Sequence, residues 1–118
     1  MSARRLPSSL AAALTLVLIA PAGHAGQRRV NVGVGPGGIQ FGPASVTLNQ
    51  NDHVTWVWSG GGHSVTNGLD PGAPGAGTIF DSGLLNGSTQ SFSWKVDRIG
   101  NVPYYCVPHV LSGMTGTP

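Results

Sequence analysis

The spacing Cys106-x2-His109-x4-Met114, within Tyr104-Tyr105-Cys106-Val107-Pro108-His109-Val110-Leu111-Ser112-Gly113-Met114, constrains this chain more than any other feature. It gathers the only cysteine, one of four histidines and one of two methionines into eleven residues. Thiolate, imidazole and thioether are soft donors that suit copper better than magnesium or calcium. Pro108 and Gly113 help such a short segment turn back on itself. A fourth donor must come from elsewhere, and His63, in Gly62-His63-Ser64-Val65-Thr66, is the best candidate. Two imidazoles, one thiolate and a weak axial thioether make a type 1 (blue) copper site, here one per chain.

Each donor has an ordinary alternative. A free cysteine is commonly a buried apolar thiol, and a methionine commonly fills a core. His63 and His109 could be loop histidines. The conjunction at tight spacing carries the copper reading. Structural zinc sites use several Cys and His ligands without methionine, so Met114 argues against zinc.

The chain has 118 residues, enough for one domain. Its first segment reads as an export signal. Arg4 and Arg5 precede the uncharged apolar run Leu10 to Ala20, and Gly23-His24-Ala25 supplies small residues at the cleavage positions. That run is too short for a membrane span, which needs about 20 apolar residues. Residues 1–25 are therefore assigned to a signal peptide and 26–118 to a single working domain, with a periplasmic or secreted location and no stable membrane insertion.

Beyond residue 25, Arg28, Arg29, Lys95 and Arg98 balance Asp52, Asp70, Asp81 and Asp97. No basic patch remains to bind nucleic acid. One cysteine in an exported chain forms no internal disulfide, which leaves a reactive thiol, an intermolecular link or a metal ligand. No Ser-His-Asp order and no carboxylate pair suggests hydrolytic catalysis. A multicopper enzyme would need further copper centres, and His24 and His53 do not supply them.

Glycine and proline punctuate short alternating runs, the pattern of an all-β, two-sheet Greek-key sandwich of about seven strands. Arg28 to Val34 is expected as a strand with Val30, Val32 and Val34 on one face. His53 to Ser59 places Val54, Trp56 and Trp58 on one face, and Thr89 to Val96 does the same with Phe92, Trp94 and Val96. Phe41 to Leu48, His63 to Thr66, Thr78 to Ser82 and Val102 to Cys106 are shorter extended segments. Asn67 to Gly77 is expected as a loop, Leu85-Asn86-Gly87 as a turn, and Met114 to Thr117 as a short last strand.

Tyr104 to His109 followed by Gly113-Met114-Thr115-Gly116 resembles the C-terminal copper loop of the cupredoxins, in their plastocyanin and pseudoazurin branch. Val54-Thr55-Trp56, Gly62 to Thr66 and Phe80-Asp81-Ser82-Gly83 are similar to family segments in the same order, so the likeness spans residues 28–117. The resemblance implies a copper site near one end of the sandwich, with His63, Cys106 and His109 as strong ligands and Met114 as the long axial one. It implies an electron carrier cycling Cu(I) and Cu(II) without binding a substrate; protein redox partners are then expected, and a monomer is the default for such a diffusing carrier. A copper-delivery module without redox duty is the alternative. His109 would be the electron port, within an apolar patch of Pro36, Pro108, Val110 and Leu111. An outward-facing Tyr105 would be a second route, with plain packing as its alternative. Pro108 has no amide N–H to offer the Cys106 sulfur, which should lower the reduction potential. Ser64 stands where many relatives have Asn, and the acidic docking patches of plant plastocyanins are absent, which disfavours a photosynthetic partner.

Overall fold

The computed structural model describes residues 26–117. The predicted signal peptide, residues 1–25, lies outside the described residues. Nine strands occur among the described residues: β1 (Gln27–Val34), β2 (Gln40–Gly42), β3 (His53–Trp58), β4 (Gly62–His63), β5 (Thr66–Asn67), β6 (Leu85–Asn86), β7 (Ser91–Lys95), β8 (Tyr104–Tyr105) and β9 (Thr115–Gly116). The three long ones are those whose alternation is clearest in the sequence.

One layer is a four-stranded sheet in the order β2-β1-β3-β7. β1 and β3 run parallel, with Gln27 opposite His53 and Val32 opposite Trp58. β2 and β7 are antiparallel to their neighbours. The other layer is broken into β4-β6 and β5-β8-β9. Alternation buries Val54, Trp56 and Trp58 on one face of β3, together with Val30 and Val32 of β1. Tyr104 of β8 meets this face edge-on, with ring centroids 5.2 Å from Trp56 and 4.7 Å from Phe41. The aromatic rings thus fill the space between the layers, and Cys106 and Met114 close the same core, both fully buried.

Three segments differ from expectation. Leu85-Asn86 is a strand, because it pairs with Gly62-His63 and its Leu85 carbonyl accepts the Trp58 indole N–H at 3.0 Å. Of the second extended run, expected over Phe41 to Leu48, only Phe41 and Gly42 join a sheet, as the end of β2, with Ser45 making a lone bridge to Thr117. Thr78 to Ser82 contributes only the bridge between Asp81 and Thr66.

Candidate metal centre

Val107 to Ser112 coils into a 3-10 turn with Pro108 in its first turn. Proline presets φ there, and Gly113 ends the turn at φ 88°, a left-handed conformation that glycine adopts without penalty. The turn is sewn shut by backbone bonds. His109 N–H donates to the Cys106 carbonyl at 3.2 Å, Met114 N–H to the His109 carbonyl at 3.2 Å, and Cys106 N–H to the Met114 carbonyl at 3.1 Å. Three soft-donor residues are therefore tied to one another through their own main chain.

His63 arrives from β4 at the other side. Its ring is cradled by glycine backbone: a Cβ at Gly33 or at Gly61 would lie 2.8 Å from His63 Nε2. The Gly60 backbone hydrogen-bonds the ring and favours its charged form, while burial and the neighbouring His109 pull its pKa below the ordinary 6.5, burial being the larger effect. His63 Nδ1 is the ring nitrogen turned to the Cys106 sulfur, 3.7 Å away. Gly33, Gly60 and Gly61 were not legible as site residues, since nothing in a sequence with 19 glycines marks these three.

The donor atoms converge. Cys106 Sγ is 3.7 Å from His63 Nδ1 and 3.5 Å from His109 Nδ1, and all three lie within 4.8 Å of one another. For metal–nitrogen bonds of about 2.0 Å and metal–sulfur bonds of about 2.3 Å, a nitrogen and a sulfur about 110–120° apart around one ion sit about 3.5–3.7 Å from each other. The observed separations match that spacing, so the residues fit a metal ion. His63, Cys106 and Met114 are buried and His109 is half-buried. Burial raises the Cys106 thiol pKa, partly offset by the Ser64 and His109 backbone. A cation reverses that balance, since a coordinating thiol is deprotonated outright.

Ser64 joins the two halves of the site. Its Oγ accepts the Val107 N–H at 2.8 Å and lies 3.0 Å from Thr66 Oγ1, which donates to Asp81 Oδ1 at 3.1 Å. With the Thr66 proton so engaged, Ser64 donates to Thr66, and the relay ends on a carboxylate. Serine thus does link the ligand segments, and Thr66 and Asp81 are supports the sequence did not reveal. Tyr105 departs from the expected outward pose: it is only 3% exposed and packs beside Gly68. The loop after β5 covers it, and Asp81 and Asp70 help raise its pKa after burial.

The surroundings of His109 are uncharged. Residues 33–39, 60–65, 84–87 and 107–114 contain no Lys, Arg, Asp or Glu. Leu111 is fully exposed and Val107 is 49% exposed, with Pro36 and Pro108 also at the surface.

Residues 28–117 match the family described as copper binding proteins, plastocyanin/azurin family. The plastocyanin of Scenedesmus fuscus is 35% identical over 91 residues, covering 75% of this chain and 93% of that protein. Halocyanin of Natronomonas pharaonis is 33% identical over 74% of this chain and 52% of its own length. The solved oxidized plastocyanin of Dryopteris crassirhizoma superposes with a TM-score of 0.62 at 31% identity, over 75% of this chain and 95% of that one. A pseudoazurin from Methylobacterium extorquens AM1 gives 0.56 at 26% identity, over 77% and 72%. With the fold, the donor cluster and these likenesses in agreement, the chain belongs to the plastocyanin/azurin family of copper-binding proteins and is a copper electron-transfer protein.

Proposed function

We propose that His63, Cys106, His109 and Met114 hold one type 1 copper, and that the protein is a soluble, monomeric, non-enzymatic carrier exported to the periplasm or beyond the cell. The observation that carries this is the meeting of His63 Nδ1, Cys106 Sγ and His109 Nδ1 within 4.8 Å. The fourth donor residue, Met114, is fully buried and hydrogen-bonded to the same turn. Copper, when bound, supplies the one-electron Cu(I)/Cu(II) couple. The chain's own residues do the rest. The glycine backbone at Gly33 and Gly61 packs against the His63 ring, Ser64 holds the turn, and the core excludes water from Cys106. His109 is the one donor residue with surface reach, so its ring is the exit for the electron. Pro36, Pro108, Val110 and Leu111 offer a protein partner an apolar, uncharged face there. Burial of three donors opposes ready metal exchange, against a delivery role. Residues 1–25 act as the export signal, and among the described residues no helix is long and apolar enough to cross a membrane.

The test is an absorption and EPR titration of residues 26–118 with one equivalent of Cu(II). An intense blue band that bleaches with ascorbate and returns on oxidation is expected, absent in Cys106→Ser. A pale complex, unchanged by that substitution, would remove Cys106 from the ligand set and the carrier role with it.

A further inference from the structure

We propose that cleavage between Ala25 and Gly26 builds an ion pair into the fold: the new α-ammonium of Gly26 seats on the buried carboxylate of Asp52 and locks β1 to the start of β3. The proposal rests on the reading of residues 1–25 as a cleaved export signal.

The Gly26 nitrogen lies 2.7 Å from Asp52 Oδ1, and Asn49 N–H donates to Oδ2 at 2.8 Å. Asp52 is only 7% exposed. Among the described residues the sole ion pair is Asp97 with Arg98, so Asp52 has no cationic side chain against it. Lys95 sits across from His53 in β7, and its exposed side chain makes no bond to Asp52. A buried carboxylate held only by neutral amides is costly, and a charged donor relieves that cost far better. The backbone around the pair is already ordered: His53 N–H donates to the Gly26 carbonyl and Val96 N–H to the Asp52 carbonyl, both at 2.9 Å. A Cβ at residue 26 would lie 3.2 Å from Asp52 Oδ1, so the glycine leaves room for the carboxylate to close over it.

The chemistry is amide hydrolysis. Water adds to the Ala25 carbonyl carbon, the bond from that carbon to the Gly26 nitrogen breaks, and Ala25 leaves as a carboxylate. The nitrogen that was a neutral amide takes up a proton and becomes the ammonium, at the position already facing Asp52. The pair sits at the end of β1 away from the copper site, since the opposite end of that strand, at Gly33, touches His63. It fixes the first rung of the parallel β1–β3 ladder, next to Gln27 and His53. The domain therefore reaches full stability only once its leader has gone.

Three copper-loaded forms of residues 26–118 test this: a free Gly26 amine, the same chain Nα-acetylated, and one extended at its N-terminus by His24-Ala25. The free amine is expected to unfold about 5–10 °C above the other two, with unchanged blue absorption. In Asp52→Asn the gap between free and acetylated forms should close. Should that variant not fold, the free and acetylated parents still decide, because they differ only at the terminal nitrogen. Equal midpoints in the parents, or a gap that survives Asp52→Asn, would overturn the ion pair. The mass of the exported protein reads the cleavage separately: an uncleaved chain overturns both the leader reading and the maturation role, a first residue other than Gly26 overturns the maturation role alone, and a Gly26 terminus with equal midpoints sinks the ion pair alone.

Discussion

Ser64→Ala is the most informative single change, because one oxygen joins the two halves of the copper site. Alanine removes the acceptor for the Val107 N–H, now 2.8 Å away, and the donor to Thr66 Oγ1 at 3.0 Å. An unsatisfied buried donor costs about 1–3 kcal/mol. Val107 is 49% exposed, so water partly rescues its N–H, and Thr66 keeps its bond to Asp81. The loss should therefore lie near about 1–2 kcal/mol, which lowers the unfolding midpoint of a domain this size by about 4–16 °C. Thermal melts of the copper-loaded protein, followed by blue absorption and far-UV circular dichroism, would measure it. The control is Thr55→Ala, which removes one partner of the exposed 2.8 Å contact between Thr55 and Ser93 hydroxyls. Both of those groups can turn to water, so that change should cost about 0.5 kcal/mol or less. A Ser64→Ala midpoint within about 1 °C of the parent, or losses that are equal at the two sites, would refute the argument that the buried relay holds the ligand turn.

Gly33→Ala would place a Cβ 2.6 Å from the Gly60 carbonyl and 2.8 Å from His63 Nε2, at φ 87°. Expected are a loss of about 2–4 kcal/mol in chemical denaturation and a shifted copper EPR spectrum, whereas Gly87→Ala, open to solvent at φ 111°, should leave the spectrum alone. The copper-free protein should lose stability as pH falls below the ordinary histidine value of 6.5, because folding lowers the His63 pKa. The unfolded chain then takes up the proton first, the loss runs from 6.5 down to the depressed folded value, and stability is insensitive to this group above that window. Urea midpoints between pH 8 and pH 5 read it, and a slope unchanged by His63→Gln would count against it. Pro108→Ala restores an amide N–H beside the thiolate and should raise the reduction potential in voltammetry; a fall would contradict the hydrogen-bond account.

What the sequence made legible follows from where periodicity is long enough to read. β3 buries alternate residues over all six of its positions, β1 does so at Val30 and Val32 and β7 at Trp94 with Phe92 partly buried, and the run Val54, Trp56, Trp58 declares its inner face without help. β4, β5, β6, β8 and β9 have two residues each, too few for a period. Their pairing is decided by partners far away in the chain, as when Leu85 is drawn into a ladder by His63 and the Trp58 indole. Tyr105 shows the same limit: alternation set it opposite Cys106, but only the covering loop after β5 determined that the ring would be buried.

The donor residues could be read because their chemistry is rare in this chain, whereas their supports are common residues made special by position. Gly33, Gly61, Ser64, Thr66 and Asp81 act on the site through backbone approach and a hydrogen-bond relay. These contacts matter to the redox step. His63 is wedged by glycine backbone, Cys106 and His109 are bonded through one turn, and Val107 is pinned by Ser64. None of these restraints passes through the copper. The donors therefore stand at metal-bridging separations, 3.5 and 3.7 Å from the sulfur, by virtue of the fold itself. Copper held by these residues would change charge within a donor set that the fold restrains, which would keep the reorganisation accompanying electron transfer small. The buried thiol supplies the other half of the argument: with its pKa raised by burial, Cys106 resists becoming an anion until a cation sits beside it, so the same core that holds the geometry also makes the site favour a bound metal over an empty, charged one.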